Sequence, residues 1–521
     1  MSDLRDEPAT GAIRRPPDRV AVNASANLVG SAVAVLAGLI CVPIYLHLLG
    51  AEAIGLIGFS LALRAIVRML DLGMSSAVVR QVARLAGRPS SSGEELVEFH
   101  VTFERLFAAA AAGIGVLTLA LSPLIAAHWL HGRQLPPREV TVAVAAISVQ
   151  AALLFMGGLY QGVLMGLERQ VRLNRIRVVE TLASQFGAVL LLSAWTARVE
   201  VLFGWQLVVT LAALLVYRRA VARSLPGLRT PARFRFAHVR AVWIFAVGMA
   251  GITTTGTILA NLDKVLLSRW LRLGTFGYYT LAFYGASLVA GLLAQPVFNA
   301  LFPRACALVE AGDASGERHL YHVAVQGLVT MVWPVSAVLW VFARPILQVW
   351  IGDPAAVAAA AAVLPYLVAG MALNTLMVPA YMLQLAHAWT TLGLVLNLAL
   401  IAVFAPLLFV LTTRWGLTGA AVNFALMQAA YLLVGLPLTH LRLLGDAFRE
   451  VVLRDLLPGV ALCVAGAAAL ASARAAVAAS APAARYSLIV VAWIALTAGT
   501  ALVSPRLRPA LRLGWPPFSG F

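Results

Sequence analysis

The chain has almost no lysine: Lys264 is the only one, so nearly all of its 39 basic residues are arginine. That shortage accompanies heavy use of Ala and Arg, a compositional bias, and the lysine count alone carries no function. Charge of either sign is scarce as well, at 12% of residues against 61% hydrophobic, with a mean hydropathy of +0.88. Soluble domains carry about a quarter charged residues, so a soluble globular chain is excluded. Cysteine is limited to Cys41, Cys306 and Cys463, in separate apolar runs without paired spacing. Neither a disulfide framework nor a zinc site fits that pattern. No GxxxxGK[ST] loop and no HExxH sequence occurs, which excludes ATP hydrolysis by a phosphate loop and zinc hydrolysis of that type. The outward loops are nearly all under about ten residues, leaving a membrane glycosyltransferase, polymerase or ligase little room to carry its catalytic groups. His128 with His131, and His319 with His322, share helix faces at i, i+3 near span ends without nearby carboxylate ligands, and are read as interfacial.

Apolar runs are abundant. They recur from Asn23 onward with short breaks, each long enough to cross a hydrocarbon core of about 30 Å as a helix. They are apolar on all sides, unlike the alternating strands of a barrel. Hydropathy therefore predicts an all-α polytopic membrane protein with about 14 transmembrane helices. Residues 1–20 are polar and Pro-containing, and the apolar run after them is too long for a cleavable signal. The net charge of +17 invites a nucleic-acid partner, but its distribution does not. With the N-terminus inside, most arginines fall in cytoplasmic loops, the positive-inside asymmetry. The densest patch, between Arg218 and Arg240, reads as a topology signal that touches anionic headgroups. A docking role for that loop is the alternative.

Features of the first half recur in the second at an offset of about 220 residues. Trp129 in HWLHG matches Trp350 in QVWIGD, and Tyr160 in LLFMGGLYQGVL matches Tyr381 in NTLMVPAYMLQL. LLGAEAIGLIGFSLAL resembles LRLGTFGYYTLAF, which sets Gly55 opposite Gly277. An even number of spans separates equivalent points, so the halves share one orientation about an axis along the membrane normal. The chain divides into a cytoplasmic tail (1–20), an N-terminal six-helix bundle (21–218), a cationic cytoplasmic linker (219–240) and a C-terminal six-helix bundle (241–445). Two additional transmembrane helices (446–505) and a cytoplasmic tail (506–521) follow.

An ionisable residue at membrane depth costs about 3 kcal/mol or more and by default faces protein or a water-filled cavity. In the span 51–73, Arg64, Arg68 and Asp71 share one helix face. Two arginines exceed what Asp71 neutralises, which suits a phosphate or diphosphate substrate gripped by guanidinium. The alternative is a structural Arg68–Asp71 pair with Arg64 snorkelling. In the span 173–195, Arg177 and Glu180 form either a helix-end ion pair or a coupling site. In the span 275–309, Gln295, Asn299 and Arg304 lie near one stripe that could line a cavity, unless Arg304 marks the cytoplasmic boundary. Pro296, Pro303, Pro334 and Pro379 interrupt spans, as breaks do at transporter binding sites. Asp263 and Lys264 are adjacent, point about 100° apart on a helix, and need not pair. Asp263 lies about 30 Å from Val242, toward the external half. It is a candidate proton or sodium coupling group, or a gate partner for a cation of the N-terminal bundle, and Lys264 could snorkel.

The stretch ANLDKVLLSRWLRLGTFGYYTLAF resembles the span-seven to span-eight signature of oligosaccharide (O-antigen type) flippases. These form the polysaccharide branch of the multidrug/oligosaccharidyl-lipid/polysaccharide exporter superfamily. RMLDLGMSSAVVRQVARLAG resembles the family's D-L-G segment followed by arginine, and ILQVWIGDPAAV its W-x-G ending of span nine. The resemblance covers about residues 20 to 445. It implies two MATE-like six-helix bundles around a central cavity, moving by alternating access. It also implies carriage of undecaprenyl-diphosphate-linked sugars to the external leaflet of the bacterial inner membrane, for surface polysaccharide such as the O-antigen of lipopolysaccharide. The family's acidic-basic pair falls on Asp263 and Lys264, lysine standing for the usual arginine. Implied partners are a polyprenyl-diphosphate-linked glycan, membrane lipids, and a polysaccharide polymerase or glycosyltransferases, with no nucleic acid. No enzymatic activity, metal or cofactor is expected beyond H+ or Na+ as coupling ion. The extra pair of spans is shared with lipid II flippases, which are the near alternative. A drug/cation antiporter would favour an acidic cavity, and span one contains no carboxylate.

Overall fold

The computed structural model describes residues 17–86, 92–225, 234–445, 447–474, 477 and 481–507. Most of the N-terminal tail, the linker stretch 226–233 with Arg229 and Arg233, and the tail beyond 507 lie outside these residues. Among the described residues every element is a helix. The first half comprises α1 (Pro17–Leu49), α2 (Ala51–Met69), α3 (Met74–Ala86), α4 (Ser92–Leu124), α5 (Pro137–Gly166), α6 (Gln170–Ala194) and α7 (Val199–Ser224). The second comprises α8 (Phe236–Trp270), α9 (Leu273–Leu288), α10 (Gln295–Ala311), α11 (Ala314–Val341), α12 (Ala343–Ile351), α13 (Pro354–Ala386) and α14 (Thr391–Thr439). Helices α15 (Leu457–Ser472) and α16 (Pro482–Val503) pack on α11 and on each other.

Ten helices among the described residues are long and apolar enough to cross a membrane, eleven if α2 and α3 form one span bent by 56°. The count of about fourteen from hydropathy is not reached by this measure. Gly416 (φ 57°, ψ −134°) interrupts the 49 residues of α14. A Cβ on Gly435 would lie 3.3 Å from Leu396 Cδ1, so the two arms run side by side as a hairpin counted once. The eighth span is divided by a π-helical segment, Val289–Ala294, into pieces of 16 and 17 residues.

Local chemistry sets the helix ends. Pro137, Pro354 and Pro482 open α5, α13 and α16, where a missing N–H costs nothing. Asp313 and Asp353 cap α11 and α13 by accepting from Gly316 N (2.9 Å) and Ala356 N (2.7 Å). Helices α5 and α13 end in the same device: Glu168 and Ala388 are left-handed (φ 57° and 52°). Beyond them, Arg169 N donates to Leu164 O (2.9 Å) and Trp389 N to Gln384 O (2.8 Å). The two devices stand at the offset of the sequence repeat. Of the four prolines expected to interrupt spans, Pro296 follows the π-helical segment, whereas Pro303, Pro334 and Pro379 lie inside continuous helices. A membrane helix tolerates one lost hydrogen bond when its neighbours satisfy the freed carbonyl.

Two polar clusters fix the periphery. On α4, Glu104 pairs with Arg218 (3.0 Å) and Glu98 with Arg235 (3.1 Å), so one helix holds both ends of the cationic linker. On α11, His322 Nδ1 bonds Asp455, and Gln326 Nε2 donates to the second oxygen of the same carboxylate at 2.5 Å. Gln326 Oε1 in turn accepts from Arg506 N (2.9 Å), tying the C-terminal helices to the second half. His322 is thus buried and paired with a carboxylate rather than interfacial. Its partner is distant in sequence, so no local spacing reveals it.

Candidate functional site

The two halves meet tightly at one end, where α2 crosses α9. A Cβ on Gly55 would sit 2.2 Å from the Leu273 carbonyl oxygen, and a Cβ on Gly277 2.0 Å from the Ala51 carbonyl oxygen. These are one contact made twice, since Gly55 matches Gly277 in the repeat and Ala51 matches Leu273. Backbones this close leave no room for a side chain. Leu273 N also donates to His131 O across the seam (3.0 Å). The repeat-related tryptophans behave alike: Trp129 Nε1 donates to Ser268 Oγ on α8 (3.0 Å), and Trp350 Nε1 to Leu39 O on α1 (2.7 Å). Each indole thereby reaches the first helix of the opposite bundle. Glu52 secures the loop beside the seam by accepting from the N–H groups of Arg133 (2.6 Å), Gln134 (3.0 Å) and Leu135 (2.9 Å).

Gly277→Ala is expected to prise this end open, because the obstruction is backbone rather than a movable side chain. With Ser268→Cys as reporter in a protein lacking the native cysteines, labelling by a membrane-impermeant maleimide should rise about tenfold, a shift of about 1.4 kcal/mol. Unchanged labelling would show that the seam is not what closes this end.

Below the seam lies a polar cavity of three joined chambers. The first, about 620 Å³, is lined by Arg64, Arg68, Arg177 and Asp71 among apolar neighbours from α2 and α5. The second, about 700 Å³, shares Arg64, Arg68, Thr253 and Thr257 with the first and reaches Lys264 and Phe283. The third, about 240 Å³, joins the second through Gly256, Ala260 and Tyr381 and holds Asn374, Asn397 and Gln428. The broken turn between α2 and α3 shapes the first chamber. There Leu72 and Gly73 have φ of 46° and 75°, and Asp71 caps α3 by accepting from Ser75 N (3.1 Å) and Ser75 Oγ (2.9 Å).

Arg64 Nη2 donates to Gln150 Oε1 (2.7 Å), and Gln150 is itself fixed by donating to Thr210 Oγ1 (2.9 Å). Arg68 is exposed to the cavity and makes no hydrogen bond or ion pair among the described residues. Neither a structural Arg68–Asp71 pair nor a snorkelling Arg64 is found. Glu180 accepts from Tyr217 Oη (3.0 Å), while Arg177 donates to Gln161 Oε1 (2.5 Å). Gln295 and Asn299 bond each other (3.2 Å). With Arg304 they are exposed and line none of the three chambers.

Asp263 and Lys264 are buried, 6% and 5% exposed, and they pair despite being adjacent. Lys264 Nζ donates to Asp263 Oδ1 (3.1 Å) and to Ala260 O (3.0 Å), and stands 3.8 Å from the Phe283 ring centroid. Tyr279 Oη donates to Asp263 Oδ2 (2.7 Å). The flexible stem curls back over its own helix, so the ammonium does not snorkel, and both charges are matched inside the C-terminal bundle. Sequence reading missed Tyr279, Phe283 and Gln150. Tyr279 and Phe283 lie in the quoted GYYTLAF stretch, sixteen residues or more beyond Asp263, and no spacing shows that α9 folds back against α8.

Two helical bundles around a polar cavity, in close contact at one end, define a multi-pass membrane protein. Residues 46–358 match the polysaccharide biosynthesis protein family, and the chain belongs to that family. Its structure is similar to that of the lipid II flippase MurJ in an inward closed conformation, with a TM-score of 0.71 and 12% identity over 94% of this chain and 100% of that one. It is also similar to an inward-facing MATE family multidrug resistance transporter of the MOP superfamily, with a TM-score of 0.65 and 14% identity over 80% of this chain and 96% of that one. The MATE multidrug transporter DinF-BH gives a TM-score of 0.57 and 15% identity over 85% of this chain and 98% of that one. At these identities the likeness concerns fold. These neighbours are transporters and a flippase rather than enzymes. No curated protein matches the chain.

Proposed function

We propose that the protein is a flippase that carries undecaprenyl-diphosphate-linked oligosaccharide across the bacterial cytoplasmic membrane by alternating access, for surface polysaccharide such as O-antigen. The charge of the cavity carries this reading. Three arginines and one carboxylate line the first chamber, and that carboxylate is occupied with capping α3. In the second chamber the charge of Lys264 is already matched by Asp263. Net positive charge is therefore left at Arg64 and Arg68, where a diphosphate would accept bidentate hydrogen bonds. A cationic drug would meet repulsion there, which disfavours the antiporter reading. A lipid II flippase uses the same headgroup chemistry, and membership of the polysaccharide biosynthesis family favours the oligosaccharide. In this scheme Asp263 is the group through which H+ or Na+ couples to the cycle, both termini are cytoplasmic, and a glycosyltransferase supplies the glycan that a polymerase consumes.

The test is deletion of the gene followed by identification of the lipid-linked intermediates retained in the cytoplasmic leaflet. Undecaprenyl-diphosphate-linked oligosaccharide should accumulate. Retention of lipid II would select the alternative, and reduced dye efflux with no retained lipid would remove the flippase reading.

A further inference from the structure

The third chamber differs in kind from the other two. No charged residue lines it among the described residues. Its polar groups are amides and phenols carried by α13 and α14. Asn374 Nδ2 donates to Gln428 Oε1 (3.2 Å), leaving Asn374 Oδ1 and Gln428 Nε2 with no hydrogen bond among the described residues. Reversing both amides changes which residue donates and still leaves one free acceptor and one free amide donor. Asn397 Nδ2 donates to Thr255 Oγ1 (3.3 Å), which leaves its carbonyl oxygen as a second acceptor. The hydroxyls of Tyr381 and Tyr431 likewise have no partner among the described residues, and the Tyr381 ring is held by stacking on Phe298 (6.4 Å between centroids).

We infer that this chamber is a sugar-binding subsite, which receives an uncharged pyranose of the glycan while Arg64 and Arg68 hold the diphosphate. Neighbouring free donors and acceptors on neutral amides suit hydroxyl and N-acetyl groups, and aromatic rings suit the apolar face of a pyranose. A purely apolar ligand would leave the amides unpaired, and polar sites discriminate against such ligands strongly. The volume of about 240 Å³ is below the 300–1,000 Å³ of drug-sized pockets, so the chamber takes a single residue rather than a chain. Its junction with the arginine-lined chamber at Tyr381 follows the covalent order of a sugar attached directly to a diphosphate. The inference rests on the flippase reading and assigns the neighbouring sugar to α13 and α14.

Binding of two probes to the purified full-length protein tests it: undecaprenyl diphosphate, and undecaprenyl diphosphate carrying one N-acetylglucosamine. The wild-type protein should bind the glycosylated probe about tenfold more tightly. Asn374→Leu with Gln428→Leu, which replaces both partners of the amide bond at similar volume, should erase that preference while leaving affinity for the bare lipid within about twofold. Tyr381→Ala, on another wall, should reduce the preference as well. Retained affinity for the bare lipid reports that the variants are folded. A preference that survives in both variants, or equal wild-type affinity for the two probes, overturns the subsite and leaves the flippase reading standing. Failure of the wild-type protein to bind either probe removes both.

Discussion

A protein carrying Arg64→Gln and Arg68→Gln together is expected to insert and fold but to flip lipid-linked cargo at least about 100-fold more slowly. A hydrogen bond to a charged group contributes about 1.5–3 kcal/mol, so two lost guanidinium contacts remove about 3–6 kcal/mol, and each 1.4 kcal/mol is a factor of ten. The single variants separate structure from function. Arg64 is anchored on Gln150 (2.7 Å), so its loss also frees a polar group inside the first bundle. Arg68 contacts no polar partner among the described residues, so Arg68→Gln should leave thermal stability unchanged while transport falls. A reconstituted assay with a fluorescent lipid-linked oligosaccharide reads the rate. Unchanged transport in the double variant would remove the argument for an anionic cargo.

Asp263→Asn is expected to lower both stability and turnover. Removing one partner of a buried ion pair costs about 3–5 kcal/mol, because the remaining charge has no counterpart. Here the ammonium of Lys264 would keep the Ala260 carbonyl and the Phe283 ring but lose its carboxylate. Tyr279 would retain an acceptor in the asparagine carbonyl, which preserves shape and isolates the effect of charge. Turnover should fall further than substrate affinity, since the charge of Lys264 is matched by Asp263 within the C-terminal bundle, whereas Arg68 is offered to the cavity. Equal losses in the two quantities would contradict that division of labour.

Long apolar runs made the helices legible, and the charged residues at membrane depth pointed to the cavity. Arg64, Arg68 and Asp71 share a helix face, a relation local enough to read from spacing, and all three line the first chamber. What spacing could not supply was the partner of each group. Asp71 turns to Ser75 rather than Arg68 because the helix breaks and bends at Leu72 and Gly73, and Arg64 finds Gln150 on another helix. Gln295, Asn299 and Arg304 share a stripe, but that stripe lies outside the chambers, because the orientation of α10 follows from its packing rather than its own pattern. The repeat was legible where chemistry imposed the same residue, as at Trp129 and Trp350. It was illegible at Glu168 and Ala388, which share a left-handed backbone and no side-chain chemistry.

The doubling of the seam has a consequence for how the protein can fail. Gly55 against Leu273 and Gly277 against Ala51 belong to one crossing, but the indoles of Trp129 and Trp350 are separate latches that reach opposite bundles. Loss of one indole leaves its twin in place. Leakage through the closed end should therefore develop in grades, and variants disabling both members of a pair should be far worse than the sum of the two singles. Fault tolerance of this kind is a property of the duplicated chain, which half of it could not have.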